Sequence, residues 1–234
     1  MGGCFLRIIR RTFIHLRLRP IRVFLFHQVS DEFDKSTMNR SDWTKTDQFK
    51  KNIILLAKTY QFIPLDLAHK KLHRDFIRLK KYAVLTSDDG WASLGNILPW
   101  LKEQGIPVTL FLNPGYFDGR HFREKETERY LLQIDIENLS KAYPGVSIAS
   151  HGWEHIRATY QDEESFQKSV LDSIKALKVF PNFIPFFAYT YGCSTAHTDE
   201  ILKENGMTPV AIDGEKNWND SSIIHRELLD GVIL

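Results

Sequence analysis

Apolar runs with strand composition alternate about seven times with helix-like patterns along this chain, and no other feature constrains the fold as strongly. Such alternation is typical of α/β proteins, because each helix returns the chain to the start of the next parallel strand. The segments 102–105 and 203–206 both read Lys-Glu-x-Gly, and an apolar run follows each of them. We predict strands at 22–26, 82–85, 108–112, 146–150, 186–189 and 207–212, a short extended piece at 62–64, and helices at 46–59, 65–72, 92–104, 124–142, 162–179 and 195–205.

The chain has 234 residues, enough for one domain that buries about 70 to 75% of its unfolded surface. We divide it into a basic segment, 1–21, and one folded domain, 22–234. An open doubly wound sheet and a closed parallel barrel both fit the alternation, although no Gly-x-Gly-x-x-Gly follows the first strand. In a barrel the carboxyl ends of the strands share one face, where chemistry is found. His27, Asp88, Asp89, His151 and Tyr191 all fall just after predicted strands.

Two adjacent carboxylates, Asp88 and Asp89, follow the apolar run 82–85 and precede Gly90. Ionised neighbours repel each other, so a buried pair of this kind indicates a metal site, an acid–base site, or both. Asp-Asp-Gly is also common in solvated turns. The pair alone therefore leaves both interpretations open.

Two imidazoles four residues apart, His151 and His155, follow the strand-like run 146–150. Side chains at this spacing can face one metal ion if the segment turns helically, and a carboxylate from another strand end would make a third ligand. Catalytic zinc sites have three protein ligands and a bound water, whereas structural sites have four and usually include Cys. A His-x3-His spacing is weak evidence alone, but with Asp-Asp-Gly it favours a catalytic metal site.

The N-terminal segment is strongly basic, although the net charge of the chain is only +2 and indicates no nucleic-acid partner. Six arginines and no acid lie between residues 7 and 22, and they interrupt every apolar run. We therefore expect neither a signal peptide nor a spanning helix. An amphipathic helix packed on the domain and peripheral contact with an anionic membrane surface both stay open.

The cysteine content points to a reducing compartment. Cys4 and Cys193 are far apart in sequence and in unlike contexts, so they suggest no disulfide framework. We expect the protein in the cytoplasm, with or without attachment to the membrane surface. Cys193 is expected to be inert packing rather than a nucleophile.

Four motifs in order resemble those of the polysaccharide deacetylases of the NodB-homology type, carbohydrate esterase family 4. Residues 86–90, Thr-Ser-Asp-Asp-Gly, are similar to the family's Thr-Phe-Asp-Asp-Gly, and residues 151–155 to its His-(Ser/Thr)-x-x-His. Residues 25–29 resemble a Tyr-His-x-Val that ends the first strand, and residues 187–192 the Phe-Ala-Tyr-Pro-Tyr-Gly form of the third motif. The resemblance covers roughly residues 22 to 226 and implies a distorted (β/α)7 barrel.

The resemblance also implies a division of roles within the site. Asp88 would be the catalytic base, while Asp89, His151 and His155 would hold one divalent metal. The backbone N–H of Tyr191 would stabilise the oxyanion. Substrate contacts are expected from His27, Tyr189 and Trp153, although Tyr189 fits the core equally well and His27 fits a hydrogen-bonded structural role.

The sequence offers two candidates for the general acid. The family uses a His in a late Leu-x-His, which Ile223-Ile224-His225 resembles, but His225 also reads as an ordinary surface residue. His27 is the other candidate acid. The family's Asp-x-x-Asp-Trp is matched only approximately, by Asp213 and residues 217–220.

Two further departures from the family pattern concern the base. Ser87 replaces the usual Phe of the first motif, which changes packing rather than ligands. Ala188 stands where many members carry an Arg that orients the base. We hypothesise that Arg226 takes over that task.

These features together predict a metal-dependent hydrolase that removes N-acetyl groups from amino sugars of a cell-envelope polysaccharide or a glycolipid. The alternatives are a carbohydrate-binding protein that has lost turnover, and a deacylase that acts on O-acetyl or N-formyl groups. A structural metal protein is disfavoured by the missing fourth ligand. Mixed nitrogen and oxygen ligands suit Zn²⁺, and Co²⁺, Ni²⁺, Mn²⁺ or Fe²⁺ would fit the same set.

Overall fold

The structure, a computed structural model, describes residues 19–33, 42–74, 79–119, 130–219 and 221–229. The strands are β1 (Arg22–Phe26), β2 (Gln28–Ser30), β3 (Trp43–Lys45), β4 (Gln61–Phe62), β5 (Tyr82–Ser87), β6 (Val108–Leu112), β7 (Val146–Ser150), β8 (Phe183–Ala188), β9 (Thr208–Ile212) and β10 (Ile224–Leu228). The α-helices are α1 (Thr46–Ala57), α2 (Leu65–Arg74), α3 (Leu94–Glu103), α4 (Gln133–Ala142), α5 (Glu163–Leu177) and α6 (Ala196–Glu204). Short 3₁₀ turns occupy Pro114–Tyr116, Ala158–Tyr160 and Thr190–Gly192.

Seven parallel strands close into a barrel in the order β1-β5-β6-β7-β8-β9-β10, and β1 completes the ring by pairing with both β5 and β10. The strand β4 pairs only with the first two residues of β5. A separate parallel pair, β2 and β3, lies outside the barrel sheet. The predicted distorted (β/α)7 barrel is therefore confirmed.

Alternation along the strands separates the inside of the barrel from its helical coat. Val84, Phe111 and Ala188 share one buried cluster with other inward residues and with the apolar side of α2. The residues next to them in the strands, such as Leu85 and Leu110, pack instead with α1 and α3. Because side chains alternate along a strand, a residue two positions beyond an inward residue also points inward. We call this odd or even position along a strand its parity. Parity decides which of the groups at the strand ends point into the barrel and reach the site.

The observed elements differ from the predicted ones at β10, at the end of β8 and at the start of α4, and the short strands β2 and β3 were also not predicted. The strand β10 was not predicted, because its sequence Ile-His-Arg-Glu-Leu buries an arginine where the pattern expects an apolar residue. The predicted strand 186–189 ends at Ala188, so Tyr189 lies outside it. The predicted helix 124–142 begins only at Gln133 within the described residues, because the Asp135 carboxylate accepts the backbone N–H of Leu132 and caps the helix there.

The predicted basic segment, 1–21, lies outside the described residues except for 19–21, and so does Cys4. Its division from residues 22–234 stays a prediction. Across the ranges that the structure does describe, every helix is too short or too polar to cross a membrane.

Candidate active site and metal centre

The Asp-Asp-Gly turn follows β5 at the carboxyl end of the barrel, and its backbone is sharply bent. Asp89 has φ of 70° and Gly90 has φ of 76°, which is the left-handed region that residues other than glycine rarely adopt. A Cβ atom at Gly90 would lie 2.6 Å from Cδ2 of Leu112. The turn therefore requires glycine at this position, and it presents two successive carboxylates to different neighbours.

Asp89, His151 and His155 offer ligand atoms that all lie within 4.8 Å of one another. The Asp89 Oδ1 atom is 3.4 Å from His151 Nε2 and 3.3 Å from His155 Nε2. Trp91 Nε1 donates a hydrogen bond of 3.0 Å to Asp89 Oδ2, while Oδ1 is buried without a hydrogen-bond donor. An unpaired buried carboxylate oxygen facing two imidazole nitrogens fits a cation between the three residues.

The backbone around His151 fixes the orientation of its ring. His151 Nδ1 donates to the carbonyl oxygen of Ala188 at 2.8 Å, which leaves the lone pair of Nε2 facing the Asp89 carboxylate. Asn113 Nδ2 donates to the carbonyl oxygen of His151 at 2.7 Å and so fixes the start of the loop that follows β7. A second partner that orients a histidine ring is typical of metal ligands.

The electrostatics of the pocket favour positive charge. Burial raises the pKa of Asp89, but His155 and His151 lower it well below its ordinary value. Burial lowers the pKa of His151, yet the carboxylates of Asp88 and Asp89 outweigh it and raise that pKa. A proton or a metal cation would satisfy the same two carboxylates.

Asp88 lies outside the ligand set and is bound by a buried arginine. Arg226 Nη1 donates to Asp88 Oδ1 at 2.6 Å and Nη2 donates to Oδ2 at 2.8 Å, with both residues at most 1% exposed. Burial raises the pKa of Asp88, but the Arg226 guanidinium outweighs it and lowers that pKa overall. Arg226 also lies over the ring of Phe111, 5.0 Å from its centroid. Arg226 thus makes the contact that our hypothesis for the base requires.

The structure contradicts the predicted place of His225. Ile224 and Arg226 point into the barrel, so His225 between them faces the outside of β10. There His225 Nδ1 bonds Asp213 Oδ2 at 2.7 Å, and Asn217 holds its backbone. A side chain on this face points away from the pocket that contains Asp88.

His27 lies at the carboxyl end of the barrel, next to the Asp-Asp-Gly turn. Val23 points into the barrel, so His27, four positions further along, lies on the same side at the carboxyl end of β1. The side chain is half-buried, and its charge acts on both Asp88 and Asp89. Of the two histidines that the sequence offered as acids, the structure brings His27 into the site.

The ring of Tyr191 lies at the rim of the site, 4.6 Å from the ring of His155 between centroids. Its backbone is left-handed, with φ of 57°, and its side chain is 48% exposed. The expected role of its N–H at the oxyanion stays a prediction.

Tyr189 does not offer a surface for a sugar, which corrects the substrate contact expected of it. Its ring is fully buried between the barrel and α5, stacked at 6.4 Å on Phe166, and its hydroxyl donates to Asp199 Oδ1 at 2.6 Å. The core interpretation is therefore the correct one. Trp153 is half-buried beside a pocket of about 220 Å³ that it lines with Ser169 and Lys168 of α5, and its contact with substrate stays a prediction.

Two residues that support the site were not predicted. Trp91 directly follows the Asp-Asp-Gly turn, so its position next to Asp89 was the available signal. Asn113 follows β6, in the same strand-end position as the other polar residues. Both act on the ligands through single hydrogen bonds.

The sequence model of the family described as "Polysaccharide deacetylase" matches residues 78–210, more than half of the chain. This chain therefore belongs to the polysaccharide deacetylase family. Among solved structures it is similar to IcaB from Ammonifex degensii, with a TM-score of 0.75 and 21% identity, covering 89% of this chain and 91% of that one.

Two other solved structures are similar to this chain. The deacetylase PplD of Streptococcus pyogenes, solved with acetate, has a TM-score of 0.73 and 17% identity, covering 90% of this chain and 92% of its own. A de-N-acetylase from Aggregatibacter actinomycetemcomitans has a TM-score of 0.70 and 16% identity, covering 89% and 94%. At these identities the likeness shows the fold. Among curated proteins the sequence has no significant match.

Proposed function

We propose that this protein is a metal-dependent hydrolase that removes N-acetyl groups from the amino sugars of a polysaccharide or glycolipid. One observation carries the proposal. The buried Oδ1 of Asp89 faces two imidazole nitrogens without a hydrogen-bond donor, while Arg226 holds the adjacent Asp88 apart from that set. Membership of the polysaccharide deacetylase family supports a carbohydrate substrate and the release of acetyl groups.

Asp89, His151 and His155 would hold the metal, and Zn²⁺ suits this mixed ligand set best. When bound, a divalent ion would supply the Lewis acidity that lowers the pKa of water and polarises the substrate carbonyl. The supporting residues keep the ligands in place: Trp91 occupies one oxygen of Asp89, and the Ala188 carbonyl fixes the tautomer of His151.

Asp88 would accept the proton of the attacking water. Its Oδ2 atom lies 3.9 Å from His151 Nε2 and so borders the ligand pocket. Each carboxylate oxygen has a second lone pair beyond the one bound by Arg226, so the bidentate pair leaves Asp88 able to accept a proton. Arg226 keeps the carboxylate ionised and fixed in one orientation.

His27 would donate the proton that the leaving amine requires. An amine is a poor leaving group unless it is protonated, so amide hydrolysis needs an acid as well as a base. His27 is the imidazole in the site that is not a member of the ligand set. We expect the backbone N–H of Tyr191 to face the carbonyl oxygen.

The test combines metal analysis with acetate release from a panel of acetylated oligosaccharides and lipid-linked sugars. Asp88→Asn should keep the metal and lose acetate release, because only the base is changed. Asp89→Ala should lose both. Asp66→Asn on α2, a carboxylate that is ion-paired with Lys70 on the helix surface, is the matched control and should change neither.

Two histidines allow a paired test of the acid. His27→Gln should lower kcat on N-acetyl substrates by about 100-fold or more, the usual contribution of a general acid, whereas His225→Gln should not. The loss should be smaller on O-acetyl substrates, because an alcohol leaves more easily than an amine. Full metal occupancy without acetate release from any substrate would support the carbohydrate-binding alternative and refute the hydrolase.

A further inference from the structure

An aromatic and cationic surface borders the candidate metal centre, and its side chains have no role in the chemistry above. The guanidinium of Arg157 lies 4.5 Å from the ring centroid of Tyr191 and 5.3 Å from that of Tyr160. Tyr191 in turn contacts the ring of His155, a predicted metal ligand. Tyr160 is 76% exposed and Tyr191 is 48% exposed. We refer to Tyr160, Arg157 and Tyr191 as the rim patch.

One hydrogen bond joins the two loops that carry the rim patch, and two others hold the first of these loops together. Thr190 Oγ1, from the loop after β8, donates to the carbonyl oxygen of Ile156 in the loop after β7 at 2.6 Å. Gln161 Nε2 donates to the carbonyl oxygens of Ile156 and Arg157 at 3.3 and 3.4 Å. The backbone beneath the patch is thus fixed, so a ligand would not have to order it.

The position of Arg157 prepares it for an anion. Aromatic rings contact the guanidinium through π interactions, and its N–H donors lie in the plane of the group, where they match a carboxylate or a phosphate. Nη1 has a neutral partner, the hydroxyl of Tyr160, at 3.4 Å. No carboxylate of the described residues forms an ion pair with Arg157.

We propose that the rim patch is a binding subsite for a sugar unit that carries an anionic group and lies next to the acetylated sugar. Arg157 binds the phosphate or carboxylate of that unit, and the exposed face of Tyr160 stacks on its ring. The inference rests on the proposed function, since it places this subsite beside the sugar that is deacetylated. It narrows the substrate class to anionic glycans.

The kinetic test compares three kinds of N-acetylated oligosaccharide of equal length. The first is neutral, the second has a uronic acid in place of every second sugar, and the third is the neutral chain with a terminal phosphate. The wild type should show a higher kcat/KM on one or both charged substrates, and the preferred one identifies the anion. In Arg157→Gln the ratio of charged to neutral kcat/KM should fall about tenfold, the effect of losing a hydrogen bond to a charged group. The preference should also weaken as salt is added.

The matched control is Arg74→Gln. Arg74 is exposed, and it is the last residue of α2, the helix that precedes β5 in the chain. This substitution removes the same charge and should leave the ratio unchanged. Tyr160→Leu should lower kcat/KM on both charged and neutral chains through lost stacking. An equal loss on charged and neutral chains in Arg157→Gln would show that Arg157 only holds the two loops together, and would overturn the proposal.

A binding measurement separates this inference from the proposed function. An oligouronate without acetyl groups cannot be deacetylated, so calorimetry can follow its binding to the unmodified protein. We expect Arg157→Gln, but not Arg74→Gln, to weaken that binding about tenfold. If acetate is released with no preference for charge, and the oligouronate does not bind, the subsite is refuted while the hydrolase stands. If the oligouronate binds through Arg157 but no acetate is released, the hydrolase fails and the subsite stands.

Discussion

Replacing Arg226 with methionine should be among the most destabilising single changes in the barrel. Arg226 is 0% exposed and Asp88 is 1% exposed, so the substitution leaves a carboxylate buried without its counter-charge. Breaking a buried ion pair from one side costs about 3–5 kcal/mol. That is a large share of a typical unfolding free energy, and it corresponds to a fall of roughly 10 °C in Tm for a chain of this size.

The control is an ion pair nearer the surface of the same sheet. Arg22 and Glu227 pair across β1 and β10, and about one fifth of each side chain is exposed. Arg22→Met should therefore cost only about 1 kcal/mol. The double variant Asp88→Asn with Arg226→Met should be more stable than Arg226→Met alone, because it removes the unpaired charge. Chemical denaturation of the four proteins, the wild type and these three variants, measures all of these differences.

The pH dependence of stability tests whether the loss in Arg226→Met is electrostatic. In the wild type the folded pKa of Asp88 is lowered, so the pair stabilises the fold above the unfolded pKa of about 3.9, and this contribution is lost as the pH falls through the folded pKa. In Arg226→Met the largest charge that opposes burial is gone, so the pKa of Asp88 rises relative to the wild type and acid neutralises the unpaired charge at a higher pH. The stability gap should be widest near pH 7 and should narrow on acidification.

Activity gives the second measurement on the same variant. If Asp88 is the base, Arg226→Met should lower kcat, since the carboxylate loses both its fixed orientation and its preference for the ionised form. Unchanged turnover would refute the role of Arg226 in supporting the base. A stability gap that is constant with pH would refute the electrostatic explanation itself.

Three further substitutions test the turn and the core. Gly90→Ala should lower the free energy of unfolding by about 1–3 kcal/mol, because φ is 76° and the new Cβ would lie 2.6 Å from Leu112. Gly95→Ala in α3 is the control: no atom lies within 4 Å of the new Cβ, so it should raise the free energy of unfolding by about 0.5–1 kcal/mol. Thermal unfolding of the two variants shows whether the two changes have opposite signs. Tyr189→Phe should lower the unfolding free energy by about 1–2 kcal/mol through the lost bond to Asp199 and leave KM for acetylated sugars unchanged, and a raised KM in steady-state kinetics would return Tyr189 to the substrate site.

The sequence predicted the parts of the site that local patterns encode. Asp88 and His151 each follow an apolar run, and parallel strand ends share one face, so their meeting could be inferred before any coordinates. The α/β class followed from the same alternation, whereas the closed (β/α)7 barrel was implied by the resemblance to the deacetylase family. The strand that carries Arg226 could not be found in this way, because Ile-His-Arg-Glu-Leu places a charged residue on the inward side.

The assignment of the acid shows why parity matters more than proximity in sequence. His225 is adjacent to Arg226, whose guanidinium binds the proposed base, and a reading of the sequence alone places both in the site. In a strand, however, neighbours face opposite sides, so the burial of Arg226 against Asp88 requires that His225 point outward. The same rule applied to β1 brings His27 inward, because Val23 already lies in the interior cluster. One buried ion pair, which the sequence pattern could not reveal, thus decides which of the two histidines faces the candidate site.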